Sequence, residues 1–149
     1  MSDLRELYQQ CIIDHGRKPR NFKTLPDANY KQEGFNPLCG DRLTLYLVVK
    51  NNDIIDIGFD GAGCAISMAS ASLMTEALKN KSLQDAEKLF NAFHLLVTAG
   101  DHQHCDDILG KLKVLAGVHE FPARVKCATL AWQAMIAAIH GDHNIISTE

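Results

Sequence analysis

The chain has 149 residues, 46% hydrophobic and 22% charged, which is enough for one domain with its own core and excludes a disordered or low-complexity segment. Fifteen Lys and Arg against eighteen Asp and Glu leave a formal net charge of −3, so a phosphate backbone is not an expected partner and nucleic acid is set aside. The opening residues lack the pattern of a secretory signal and no apolar run reaches the roughly 20 residues needed to cross a bilayer, so a cytoplasmic protein without a membrane segment is expected.

From Asp3 to about His15, the residues Leu4, Leu7, Tyr8, Cys11 and Ile12 fall at helical spacing, and Gly16 is expected to stop the helix. Pro19 and Pro26 then hold an irregular connection. Asn29 to Phe35 reads as a third strand beside the two that follow. Between Arg42 and Lys50, Leu43, Leu45, Leu47 and Val49 alternate with Thr44, Tyr46 and Val48, and a period of two calls for a strand. Asn51 and Asn52 tolerate left-handed backbone, so a tight hairpin leads into Ile54 to Phe59, with Ile55, Ile57 and Phe59 expected on one face.

After Gly63 the period changes: Ile66, Ala69, Leu73 and Ala77 recur at three and four, the mark of an amphipathic helix. Further helices are expected from about Leu83 to Val97, from Asp106 to Leu115 with Gly117 as its end, and from Pro122 to about His140. In the last, proline suits the first position, Gly141 suits the stop, and Val125, Ala128, Trp132, Met135, Ile136 and Ile139 form the buried stripe. Strands precede helices without the alternation of a parallel sheet. The expected class is therefore α+β, a small antiparallel three-stranded sheet with about four to five helices packed on one face, in a single domain over 1–149.

Five cysteines in a chain without an export signal point to thiol or metal chemistry before a disulfide framework. Cys39 sits in Asn36-Pro37-Leu38-Cys39-Gly40-Asp41, where Pro37 stiffens the loop, Gly40 lets it turn and Asp41 adds a carboxylate. Cys64 follows Gly61-Ala62-Gly63 at a strand-to-helix junction, where unpaired N–H groups and the helix dipole favour a thiolate, so its pKa is expected to be lowered. Cys127 lies near the start of the last helix, with Arg124 one turn before and Ala131 one turn after, on a face expected to be small and partly polar. Three thiolates and Asp41 would fill the tetrahedron of a zinc ion, with Arg124 and Lys126 offsetting the excess negative charge. Against this, the spacings match no short finger pattern and free cysteines commonly just pack, so the residues alone leave a metal centre and plain packing as even alternatives.

His102, His104 and Cys105 form a denser cluster, but in a polar loop after Gly100, where adventitious metal affinity is the simpler account. Cys11 belongs to the first helix's apolar stripe. Asp14 and His15 read as a helix C-terminus that welcomes a protonated imidazole rather than as an acid–base pair. Asp60 reads as an edge carboxylate, and His119, His140 and His143 as surface residues. The glycines match neither the P-loop nor the dinucleotide-binding pattern.

The three cysteine motifs, Asn36 to Asp41, Gly61 to Ser67 and Arg124 to Trp132, resemble those of the NifU N-terminal, or IscU/SufU, family of iron-sulfur cluster assembly proteins. Leu7-Tyr8 through Asp14-His15 and Pro19-Arg20-Asn21 resemble that family's opening segment, so the likeness runs over nearly the whole chain. It implies one of two roles. SufU-type members are zinc-dependent sulfurtransferases that accept persulfide sulfur from a SufS-type cysteine desulfurase. IscU-type members are non-enzymatic scaffolds on which a [2Fe–2S] cluster is assembled and passed on to downstream iron-sulfur assembly proteins. Lys126, where scaffolds typically carry histidine, and the longer segment between Cys64 and Cys127 are similar to the SufU-type branch, and Glu120 to Arg124 does not match the scaffolds' chaperone-recognition stretch. The resemblance thus implies zinc on Cys39, Asp41, Cys64 and Cys127. It also implies Cys39 as the catalytic thiolate, leaving the ion while a partner histidine takes its place, and Arg124 orienting that thiol or pairing with Asp41. On the scaffold alternative, Cys39, Cys64 and Cys127 hold the cluster.

Overall fold

The alternating leucines build the central strand of a sheet. In the computed structural model, which describes residues 2–100, 106–141 and 146–147, strand β2 (Asp41–Lys50) pairs antiparallel with β1 (Tyr30–Asn36) on one side and β3 (Asp53–Ala62) on the other. Leu43, Leu45 and Leu47 are buried on one face, while Thr44 and Tyr46 are half-buried on the opposite one. Asn51 and Asn52 both have positive φ, 53° and 65°, as a two-residue hairpin turn requires. The expected three antiparallel strands are thus present, and a two-residue strand β4 (Ile146–Ser147) lies parallel to β1, giving the order β3-β2-β1-β4.

The register of the hairpin slips between Val48 and Val49, so that Val48 pairs with Asp56 and Val49 with Ile54. The bulge turns Ile55 outward, 39% exposed, and puts Ile54 and Ile57 in the core. Ile55 therefore leaves the face it was expected to share with Ile57 and Phe59, and Ile54 joins them in the core.

Helix α1 (Ser2–Arg17) runs one residue past Gly16. Cys11 and Ile12 pack against the core as expected, but Leu7 is 67% exposed. Helices α2 (Ala65–Leu78) and α5 (Pro122–Ile139) lie on the sheet, α2 against β3 and α5 against β1 and β2. The expected stripe of α5 is too narrow, because Cys127, Leu130, Ala131 and Ala134 are buried along with Ala128, Trp132 and Met135. Gly34 in β1 permits this close seating: a Cβ there would stand 3.0 Å from Leu130 Cδ1 and 3.7 Å from Ala134 Cβ. Phe93, from α3 (Leu83–Ala99), stacks on Trp132 with ring centroids 4.4 Å apart, and Trp132 Nε1–H donates to Ser70 Oγ at 3.1 Å.

The helix expected from Asp106 to Leu115 is split. Helix α4 (Asp106–Leu109) lasts one turn, and a 3₁₀ helix (Gly110–Glu120) carries on through Gly117. The break falls at Gly110, whose φ of 51° lies outside the right-handed helical region. Among the described residues no helix is long and apolar enough to cross a membrane. His102, His104, Cys105 and His143 lie outside the described residues.

Candidate metal centre

Asn36 and Asp41 face each other as the last and first residues of the β1–β2 ladder, and both are fully buried. Strand phase explains the placement: Asp41 is in step with Leu43, Leu45 and Leu47, so a carboxylate occupies the core-facing end of an apolar row. The four residues between, Pro37, Leu38, Cys39 and Gly40, leave the ladder as an exposed loop that Gly40 turns at a φ of 70°. Cys127 enters from the first turns of α5 and is buried. Cys64 sits at the N-cap of α2, where its Sγ accepts the Ser67 N–H at 3.4 Å.

These elements bring the donors together. Cys127 Sγ–H points at Cys39 Sγ across 3.1 Å, although 88 positions separate the two residues. One donor atom each from Cys39, Asp41 and Cys127 lie within 4.8 Å of one another, and no other group of three His, Cys, Asp or Glu donors meets that criterion among the described residues. Cys64 stands at the edge of this group rather than inside it. Its backbone N–H donates to Asp41 Oδ1 at 2.8 Å, and its Sγ lies 3.9 Å from Asp41 Oδ2. Burial pushes the Cys127 thiol far above its ordinary range, and hydrogen bonding with Cys39, Asp41 and Cys64 pushes it the same way. Of the α5 face expected to be small and partly polar, Cys127 and Ala131 are buried and Arg124 is exposed.

The chemistry of this donor set fits zinc. A buried carboxylate with two thiols beside it and a third at its edge offers three sulfur donors and one oxygen donor, the number that tetrahedral zinc accepts. Tetrahedral zinc with bonds of about 2.3 Å to sulfur separates two sulfur ligands by roughly 3.8 Å, so the Cys39 and Cys127 sulfurs would open by less than about 1 Å. Cys39 is on the exposed loop and has room to do so.

Arg124 is exposed, with its guanidinium over the Phe121 ring at 4.9 Å, while the Asp41 carboxylate is taken by Asn36 and Cys64. Lys126 is half-buried beside Cys127. Two contributors were absent from the sequence reading. Asn36 Nδ2–H₂ donates to Asp41 Oδ2 at 3.2 Å and to Cys127 Sγ at 3.4 Å, and the only sign of it in the sequence is its place in phase with the strand's buried side. Gly63 packs on the carboxylate, since a Cβ there would come 2.7 Å from Asp41 Oδ1.

The remaining candidates have structural roles. His15 is buried, with Nδ1 at 2.7 Å from Ser72 Oγ and Nε2 at 3.7 Å from Glu76, and burial, helped by Arg20, lowers its pKa. It is thus a neutral packing residue and not the helix-end cation that was expected, because α2 covers it. Asp14 pairs instead with Arg20 at 2.6 Å, which holds its carboxyl below the ordinary range. Asp60 accepts the Tyr46 O–H at 3.0 Å. His119 Nδ1 bonds to the Ala116 carbonyl at 2.8 Å, and His140 pairs with Glu87, so neither surface histidine lacks a partner. Burial raises the Cys11 thiol, in keeping with packing.

Residues 7–128, which include the four proposed ligands, match the family described as NifU-like N terminal domain. The zinc-dependent sulfurtransferase SufU of Bacillus subtilis (strain 168) is 41% identical over 134 residues, covering 90% of each chain. The iron-sulfur cluster assembly scaffold protein IscU of Streptococcus pyogenes serotype M1 is 39% identical over 97% of this chain and 89% of its own. A solved structure from Fervidobacterium islandicum AW-1, described as an iron-sulfur cluster assembly scaffold for the SUF system, superposes with a TM-score of 0.83 at 30% identity. That match covers 91% of this chain and 98% of the other.

Proposed function

Because this chain belongs to the NifU-like N-terminal domain family, we infer that it serves iron-sulfur cluster assembly as a zinc-dependent sulfurtransferase accepting persulfide sulfur from a SufS-type cysteine desulfurase. The observation that carries this reading is the gathering of the Cys39, Asp41 and Cys127 donors within 4.8 Å, with Cys64 beside Asp41. Cys39, Asp41, Cys64 and Cys127 hold the ion. Bound zinc supplies the positive charge that keeps the thiols deprotonated at neutral pH.

The four ligands differ in exposure, and that difference divides the labour. Asp41 and Cys127 are anchored in the core, whereas Cys39 is exposed on a loop outside the ladder, so Cys39 is the thiolate that meets a partner. Its Sγ attacks the outer sulfur of the desulfurase persulfide. A sulfur–sulfur bond forms on Cys39 as the old one breaks, and the electron pair leaves on the desulfurase cysteine, with no net oxidation or reduction. The sulfur then passes to downstream iron-sulfur assembly proteins. We further assign Arg124, exposed one turn before Cys127 on α5, to orienting the Cys39 thiolate, a role that requires its guanidinium to swing away from the Phe121 ring.

The 39% identity to a scaffold IscU supports a second reading, in which Cys39, Cys64 and Cys127 hold a [2Fe–2S] cluster. Lys126 favours the first, since its ammonium is no metal ligand and leaves three sulfurs and one carboxylate as the donors. Alanine or sulfide release by the host's desulfurase is expected to rise when the protein is added and not to rise with Cys39→Ala. Full stimulation by that variant refutes the assignment. Protein purified without oxygen is expected to be colourless and zinc-loaded; a brown chromophore would favour the scaffold.

A further inference from the structure

We propose that Asn36 is the positioning residue of the metal centre, a single buried amide that aims two of its ligands and shapes the loop carrying a third. The inference rests on the metal reading above. Asn36 turns its side-chain amine to two of the proposed ligands and its carbonyl oxygen to the loop that carries a third. Nδ2 donates to Asp41 Oδ2 at 3.2 Å and to Cys127 Sγ at 3.4 Å, while Oδ1 accepts the Leu38 N–H at 3.2 Å. The last bond is an Asx-type turn, which starts the loop that delivers Cys39. Three of the four proposed ligands are therefore tied to one side chain that is not itself in the ligand set.

The chemistry of an amide suits this place better than any alternative of its size. Asp41 and Cys127 are both acceptors once ionised, so the residue between them must donate twice. It must also be uncharged, because a cation there would compete with the metal for the same carboxylate and an anion would add to the crowding. Asn36 is fully buried, so water cannot substitute for the lost donors. Its ladder partner is Asp41 itself, so the backbone that holds the amide also holds the carboxylate. Donors of this kind fix the orientation of a ligand and the charge it presents to the metal, and their loss elsewhere weakens metal binding about 10- to 100-fold.

The test uses cobalt(II) in place of zinc, because the thiolate-to-cobalt charge-transfer band and the d–d bands report the coordination sphere directly, apart from any activity. The full-length metal-free chain is titrated with cobalt(II) as wild type, Asn36→Asp and Asn36→Ala, with circular dichroism of each metal-free form as the check on folding. Asn36→Asp keeps the shape and the acceptor for Leu38 but replaces both donors. We expect native-like dichroism, at least about a tenfold loss of cobalt affinity in both variants, and altered d–d bands in the cobalt that does bind. Should Asn36→Asp not fold, Asn36→Ser, which keeps an acceptor for the Leu38 amide, carries the same measurement. Variants that bind cobalt within twofold of wild type and with its spectrum overturn the Asn36 role alone. A wild-type chain that takes up cobalt without a thiolate charge-transfer band overturns the metal reading, and the Asn36 role with it.

Discussion

Replacing Gly63 by Ala is expected to damage the metal centre while sparing the fold. The added methyl carbon would lie 2.7 Å from Asp41 Oδ1 and 3.2 Å from both Cβ and Cγ of the same side chain. Ordinary contact begins near 3.4 Å, so the carboxylate must yield by about 0.7 Å. Gly63 is exposed and has no positive φ, so alanine fits the backbone and the lesion stays local. Moving Oδ1 lengthens its 2.8 Å bond from the Cys64 N–H, a charge-assisted contact of the kind worth about 1.5–3 kcal/mol, and disturbs the Asn36 contact to Oδ2. A displaced ligand of this kind should cost about 1.4–2.7 kcal/mol of metal binding, a weakening of roughly 10- to 100-fold. Competition for zinc against a chromophoric chelator measures it, with thermal unfolding of the metal-free protein alongside. Gly117→Ala serves as the control, because a Cβ there meets nothing within 4 Å. Gly63→Ala protein that holds zinc as tightly as wild type, or loses no more than the control, would refute the reasoning.

Acid should expose the burial of His15. Its depressed pKa keeps it neutral in the fold while the unfolded chain takes up a proton near pH 6.5, so stability falls as pH drops through that value and levels off below the folded pKa. Thermal unfolding between pH 5 and 8 should show His15→Gln losing part of that slope, and an unchanged slope would remove His15 as its source. Leu45→Ala, at a fully buried site in the central strand, is expected to cost about 2–5 kcal/mol in urea unfolding, whereas Ile55→Ala, on the outward bulge, should cost well under half of that.

The parts of the fold that were legible in the sequence are those governed by local rules. Leu43, Leu45 and Leu47 specify a strand because side chains alternate, and Asn51-Asn52 specifies its turn because both residues accept positive φ. The same rule misplaced Ile55, since period-two logic assumes an unbroken register and the bulge after Val48 breaks it. His15 was misread for a different reason: the C-terminus of an isolated helix is solvated, but α2 lies over this one. The donor atoms were legible as motifs only. That Cys39 and Cys127 touch across 88 positions is a product of β1 and α5 packing, which no local pattern encodes. The motif places Asn36 in the Cys39 loop, one residue past the expected strand end at Phe35, yet it closes the strand and faces the core.

Gly34 gives the site its depth. It lies two residues before Asn36 on the same face of β1, directly beneath Leu130 of α5, the residue one turn after Cys127. Sheet and helix are therefore gauged against each other at a point where the strand contributes no side chain and Leu130 fills the space, two residues from the amide and one helical turn from the sulfur. A side chain bulkier than alanine at position 34 would act as a shim against Leu130 and Ala134, pressing α5 away from β1 beside the Cys127 sulfur, so a residue that bears none of the ligands' chemistry helps set their spacing.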